Sequence, residues 1–97
     1  MVKRKIDTLN DTGFLIACEI VPYLCRGKTV ELIANCMVDG YMATEAIILL
    51  PEILAKIECG IHFQMSSKDI TADGSPKDGD EQIRYRIKLK PGCKAIA

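Results

Sequence analysis

Apolar and β-branched residues dominate the chain from residue 13 to residue 50, and two glycine-containing dipeptides interrupt this stretch. Asp39-Gly40, in "NCMVDGYMAT", is typical of a two-residue hairpin turn, and Arg26-Gly27 is a weaker form of the same signal. The two turns predict a three-stranded meander. Its strands would cover residues 13–25, 28–38 and 41–50.

Folding this meander about its turns gives a sheet that is apolar on both faces. In that register Glu19 and Glu45 flank Ala34 and form the one polar row of the first face, while Met37 and Ile48 contribute to an equally apolar second face. Such a sheet must close into a barrel, be covered by a helix or be buried against another subunit.

The remaining elements are a short helix and two further strands. The helix would begin at Pro51 in "PEILAKIE" and end before Gly60, and strands would follow at residues 60–67 and 83–90. The predicted fold is mainly β with one short helix (α+β), a small five-stranded antiparallel meander or barrel in the order β-β-β-α-β-β. Over residues 13–90 this order resembles the connectivity of the OB-fold, in topology alone.

A winged helix is the alternative fold. It would place helices at residues 12–26, 29–39 and 44–58 and use the last two strands as the wing. Pro22 and Pro51 would then lie inside helices, which proline disfavours, so the β interpretation needs fewer exceptions.

The length of 97 residues predicts a single domain, 1–97, with two less regular segments. A short basic tail would cover residues 1–10. A flexible acidic loop is predicted at 68–82, because its 69–81 portion is rich in Gly, Ser and Asp and carries five acids against one lysine. This loop would either neutralise the basic strand that follows it or gate a basic groove.

Composition narrows the environment and the partners. The 13 basic and 13 acidic residues cancel, so an electrostatic partner must be bound by a local patch. The chain has neither an apolar run of membrane-spanning length nor a secretory signal pattern, which predicts a cytoplasmic protein without a membrane partner. Five cysteines at irregular spacings predict reduced, mostly buried thiols rather than a disulfide framework.

The stretch "IRYRIKLKPG" carries the main candidate site. Alternation places Arg84, Arg86, Lys88 and Lys90 on one face of a strand, about 7 Å apart, and Tyr85 on the other. These cations could follow a single-stranded phosphate backbone, with a base stacked on Tyr85. The competing interpretation is that they protect an exposed sheet edge from strand addition. The 5% aromatic content argues against a stacking platform.

The sequence lacks the additional residues that a catalytic site or a metal site would need. Glu19 and Glu45 have no nucleophile or second acid cluster beside them, and Cys59 with His62 supplies only two metal ligands. We therefore predict no catalytic residues, no metal and no cofactor.

Two functions remain as hypotheses. The first is a non-enzymatic small β-barrel binding module that engages a polyanion, single-stranded nucleic acid in particular, through Arg84, Tyr85, Arg86, Lys88 and Lys90. The second is a protein-interaction or homo-oligomeric assembly module that buries its apolar sheet face at an interface. A third class, an enzyme or small-molecule binder using Glu19, Glu45 or His62, has the least support.

Overall fold

A computed structural model of the chain describes residues 1–69 and 81–92. The fold is mixed α+β, with one open sheet and two helices. Along the chain the elements are β1 (Val2–Lys5), α1 (Gly13–Cys25), β2 (Val30–Ala34), α2 (Met37–Leu54), a 3-10 turn (Ala55–Ile57), β3 (Ile61–Asp69) and β4 (Glu81–Leu89).

The four strands are hydrogen bonded in the order β1-β2-β4-β3. β1 and β2 are parallel, which requires a crossover connection, and α1 provides it. β4 pairs antiparallel with β2 on one side and with β3 on the other. The two strands predicted at residues 60–67 and 83–90 are therefore present as an antiparallel pair, whereas the predicted five-stranded barrel with OB-like connectivity is not confirmed.

The core lies between the two helices and one face of the sheet. The sheet contributes Val30 and Leu32 from β2 and Tyr85 and Ile87 from β4, each at most 5% exposed. The helices contribute a larger set of buried side chains, namely Ile16, Ala17, Ile20, Leu24, Ala43, Ala46, Ile47, Leu50 and Leu54. Each fully buried Ile or Leu stabilises the fold by about 1.5–3 kcal/mol relative to exposure, so this layer dominates the stability.

Two of the three meander strands predicted from the sequence are helices. Residues 13–25 form α1, and residues 41–50 lie within α2. The central prediction, residues 28–38, is correct only for β2. A run that is apolar at almost every position satisfies both periodicities, and the buried positions of α1, residues 13, 16, 17, 20 and 24, follow the helical one.

Both dipeptides that suggested hairpins have helical roles. Gly27 has φ 78° and follows the end of α1, where its N–H donates to Leu24 at 3.0 Å and the Lys28 N–H donates to Tyr23 at 3.0 Å. This pair of bonds is a Schellman motif. Asp39 lies in the first turn of α2, where its carboxylate accepts from the Asn35 N–H at 3.0 Å. A carboxylate at that position also interacts favourably with the helix dipole.

The two prolines that argued against helices are tolerated at the ends of helices. Pro22 lies in the last turn of α1 and Pro51 in the last turn of α2, and both are exposed. An internal proline costs a helix about 3 kcal/mol, which is less than the gain from burying three large side chains on α1.

The winged-helix alternative is also wrong as a whole. Its first helix, 12–26, matches α1 to within one residue, but its second, 29–39, spans the β2 strand.

The predicted tail at residues 1–10 contains a structured strand, β1, which pairs with β2 from Val2↔Val30 to Lys5↔Ile33. The predicted acidic loop falls mostly on residues 70–80, outside the described residues.

The connection from β1 to α1 is held by a network of charged and polar side chains. The Arg4 guanidinium donates to both carboxylate oxygens of Asp11, at 2.9 and 2.6 Å, and to Glu19 on α1 at 2.8 Å. Asp11 also accepts from the Asp7 N–H at 2.7 Å. The hydrogen bond from Arg4, together with that backbone N–H, holds the pKa of Asp11 below its ordinary value against the opposing effect of burial. The network ties the edge strand to the first helix.

We predict that Asp11 makes the free energy of unfolding depend on pH in the acidic range. A carboxyl group whose pKa is lowered by folding stabilises the protein above its unfolded-state pKa, about 3.9, and this stabilisation is lost as the pH falls through the lower folded-state value. Asp11→Asn should therefore be less stable than the wild type at pH 6, and the gap should narrow as the pH falls below about 4. Denaturant midpoints measured from pH 6 to pH 2 test this.

Glu52→Gln, at an exposed position of α2, is the control for this pH series. It should follow the wild-type curve. A constant difference between Asp11→Asn and the wild type at every pH would contradict the assignment.

Candidate functional site

The last strand has one apolar face and one basic face, as its alternation predicted. Ile83, Tyr85, Ile87 and Leu89 belong to the core or pack against it. The side chains of Arg84, Arg86 and Lys88 lie on the other side of the sheet. In the described part of the chain no helix covers that side, which we call the open face.

Tyr85 does not lie with these cations. Its side chain is 5% exposed, within the core, beside Leu32 in register. The ring is therefore inaccessible for stacking on a base. Lys90 follows the end of β4, where its N–H donates to the Gly60 carbonyl at 2.9 Å and its side chain passes over Gly60, so it lies at the margin of the open face.

The edge-protection interpretation of these cations is wrong for β4. That strand lies between β2 and β3, and the sheet edges in the described fold are β1 and β3. Since an interior strand has no free hydrogen-bonding edge to protect, the row of cations needs another explanation.

Two further lysines on the open face escaped the sequence analysis. Lys3 pairs with Glu31, which pairs with Arg86, so Lys3 and Arg86 lie in one cross-strand row. Lys5 pairs with Ile33, which pairs with Arg84, so Lys5 and Arg84 lie in another such row. Both lysines are exposed. Alternation within "VKRKI" was the available signal, but treating residues 1–10 as a tail concealed it. Among the strand residues whose side chains the structure describes, the open face thus carries five cations, Lys3, Lys5, Arg84, Arg86 and Lys88.

A single carboxylate, Glu31, lies among these cations in the described strands. Its side chain is 0% exposed, although it is on the open face, and each of its oxygens binds one arginine. Arg86 Nε donates at 2.9 Å and Arg84 Nη1 at 3.4 Å. Glu31 cancels one of the five charges and fixes the positions of two others, which leaves the open face strongly positive.

The two arginines differ in how much of their donor capacity the protein uses. Arg84 donates to Gln82 from Nε at 3.0 Å and from Nη2 at 2.8 Å, and to Glu31 from Nη1. All three of its nitrogens are therefore occupied. Arg86 is bound only through Nε among the described residues, and its side chain is 57% exposed against 33% for Arg84.

A shallow depression lies at one end of the open face. It has a volume of about 220 Å³ and is lined by Thr29, His62, Gln64, Arg86 and Lys88. His62 is directly opposite Lys88 across the β3–β4 pair, and Gln64 is directly opposite Arg86. The start of β2 and the strands β4 and β3 therefore place polar side chains around the depression.

The other candidate residues are not brought together. Glu19, on α1, binds Arg4, and Glu45, on α2, packs so closely against Gly13 that a methyl group there would lie 2.6 Å from its Cβ. The predicted polar row of two strand carboxylates is therefore wrong. His62 lines the depression, and the described residues contain no cluster of three or more potential metal ligands around it or elsewhere.

Comparison with known proteins adds no family. The chain matches no protein-family model and no curated protein sequence. Neither of the described helices is long and apolar enough to cross a membrane.

We predict that Glu31 stabilises the fold by holding the arginines together. Glu31→Gln should lower the free energy of unfolding by about 1–3 kcal/mol, because Arg84 and Arg86 would then repel each other without an intervening carboxylate. Chemical denaturation at low salt measures the difference. Glu52→Gln removes an exposed carboxylate away from the sheet and should change stability by no more than about 0.5 kcal/mol. Equal stabilities for the two variants would contradict the role given to Glu31.

Proposed function

We propose that this protein is a non-enzymatic binding module whose open face binds single-stranded nucleic acid through its phosphates. The observation that carries the proposal is the collection of five cations from β1 and β4 on a sheet face without helices in the described fold. These two strands are far apart in sequence and are separated in the sheet by β2 alone. Five cations with one internal carboxylate produce a local positive patch on a chain with no net charge.

The spacing of the cations supports an extended ligand. Alternate residues of a strand are about 7 Å apart, and β1 and β4 are two strand spacings, about 10 Å, apart, so the cations form a grid of two rows. A single strand with its backbone extended can follow such a grid. Both helices lie on the opposite face of the sheet, so neither helix can enter the major groove of a duplex that contacts the patch.

Phosphate contacts rather than base stacking would supply the affinity. The aromatic ring expected at the site, Tyr85, is in the core, and no Phe, Tyr or Trp side chain of the described strands is on the open face. Binding of this kind is sequence-tolerant and depends strongly on salt. The module would therefore bind single strands with little base preference.

Two exposed thiols support the prediction of a cytoplasmic protein. Cys18 and Cys36 are free and exposed, which corrects the expectation that the cysteines are mostly buried. Exposed thiols persist in a reducing compartment, so we retain the cytoplasm as the proposed location.

The binding proposal predicts a steep salt dependence that involves β1 as well as β4. Lys3→Gln combined with Lys5→Gln should weaken binding of a fluorescent oligothymidylate by about tenfold or more at low salt. It should also reduce the slope of log K against log salt by about 1.4, since each lost single-strand phosphate contact removes about 0.7. Fluorescence anisotropy at several salt concentrations gives both quantities.

The matched control removes the same charge elsewhere. Arg26 follows α1 and Lys56 lies in the 3-10 turn, and both are exposed. Arg26→Gln combined with Lys56→Gln should leave the slope almost unchanged. A wild-type protein that does not bind the oligonucleotide, or equal losses in the two double variants, would contradict the proposal.

A second candidate function, assembly through a second copy of the chain, rests on a different observation. β3 is an edge strand, and its Phe63 and Met65 are 49% and 65% exposed on the helix side of the sheet. An unpaired edge beside exposed apolar side chains suits an isologous strand-to-strand contact. An apolar meander does not form, because the residues predicted for two of its strands belong to α1 and α2.

Light scattering tests the second candidate. A dimer at high micromolar concentration that dissociates when Phe63→Ser and Met65→Ser are combined would support assembly through β3. Phe14→Ser, at a 56% exposed position of α1, is the control and should leave the dimer intact. A monomeric wild-type protein would exclude this candidate and leave the binding proposal unaffected.

A further inference from the structure

The depression at the end of the open face has a composition suited to one kind of ligand. All five of its lining side chains, Thr29, His62, Gln64, Arg86 and Lys88, can donate hydrogen bonds, and none is a carboxylate. We propose that this depression is a binding site for a single phosphate group. The inference rests on the proposed function, because it assigns one phosphate of the bound strand to a defined place.

The charge at the depression matches a phosphate. Arg86 and Lys88 contribute two positive charges, and a phosphate monoester carries about −1.5 to −2 at neutral pH, while an internal diester carries one negative charge. Glu31, the cross-strand partner of Arg86, is completely buried and already bound by both arginines. It positions Arg86 and cancels one charge of the group, so Arg84, Arg86 and Lys88 (+3) together with Glu31 (−1) leave a net charge of +2 beside the depression.

Arg86 is oriented for this role and Arg84 is not. The bond from Arg86 Nε to Glu31, at 2.9 Å, leaves the four N–H groups of its two terminal nitrogens for a ligand. Such a planar fork can bind two phosphate oxygens at once. Arg84, two residues away on the same face, is held at all three nitrogens by Gln82 and Glu31.

The remaining donors are held by backbone pairing. His62 and Lys88 are cross-strand partners, as are Gln64 and Arg86. The Thr29 carbonyl accepts from the Val2 N–H at 2.9 Å, which fixes the start of β2 against β1. Because the backbone positions are set by the sheet rather than by loops, less ordering is needed when an anion binds.

The phosphate could come from the interior of a nucleic acid strand or from its end. The shared chemistry is a tetrahedral phosphate with at least two free oxygens. A terminal phosphoryl group presents three such oxygens and more charge, so a preference for it would appear as tighter binding of a 5′-phosphorylated oligonucleotide than of its 5′-hydroxyl form.

The test begins with inorganic phosphate and the isotopically labelled full chain. Titration at constant ionic strength, balanced with chloride, should shift the amide resonances of Thr29, His62 and Lys88 with one saturating curve and leave those of Lys3 and Lys5 in place. Lys88→Gln should weaken phosphate binding at least tenfold. Lys5→Gln, which removes the same charge from the same face outside the depression, should change it less than twofold.

Oligonucleotides then separate this inference from the proposed function. In the supporting case Lys88→Gln reduces affinity more than Lys5→Gln does. A several-fold advantage of the 5′-phosphorylated oligonucleotide, lost in Lys88→Gln, identifies a terminal phosphate. Equal affinities of the two forms, with Lys88→Gln still the weaker binder, identify an internal diester.

Two results would overturn the site. The first is a set of phosphate-induced shifts spread evenly over the open face, and the second is equal effects of Lys88→Gln and Lys5→Gln on phosphate binding. With either result, salt-dependent oligonucleotide binding would leave the proposed function standing without a defined phosphate position. Conversely, localised phosphate binding without oligonucleotide binding would support the site and contradict the proposed function. Amide dispersion in the spectrum of each variant establishes that it is folded.

Discussion

The packing of both helices against a single face of the sheet determines the rest of the structure. Ile16, Ile20 and Leu24 from α1 and Leu50 and Leu54 from α2 are buried almost completely in this one layer. A four-stranded sheet covered on one side has to present polar groups on its other side. Here that side is predominantly basic, so the constraint that builds the core also exposes the candidate site.

Part of this fold follows from the sequence. The strong alternation in "IRYRIKLK" predicted β4 and its two faces correctly, and the shorter alternation after Gly60 predicted β3. The helices were predicted only in the alternative fold, because apolar residues of several types occupy most positions of residues 13–25 and 41–50. Such runs satisfy both periods, and only packing against a third element decides between them. Gly27 and Asp39 suggested hairpin turns because the residue types favoured at the end and at the start of a helix are also favoured in such turns.

The candidate site was predictable only within one strand. Arg84, Arg86 and Lys88 lie together as expected, since neighbours two residues apart on a strand always share a face. The contribution of Lys3 and Lys5 and the neutralising position of Glu31 depend on which strands are neighbours. Alternation already places Tyr85 opposite the cations, and its burial depends on the helices that cover that face. Sheet order is a long-range property, and the order β1-β2-β4-β3 turned a supposed edge into the interior of the sheet.

The pairing of β2 with β4 has a consequence for synthesis of the chain. Glu31 precedes its two arginine partners by 53 and 55 residues. During translation this carboxylate therefore leaves the ribosome long before the cations that neutralise it, on a strand whose other neighbour, β1, is only four residues long. Until β4 emerges, the nascent chain has to keep Glu31 hydrated, which disfavours premature collapse of β2 and delays sheet formation until β4 is available.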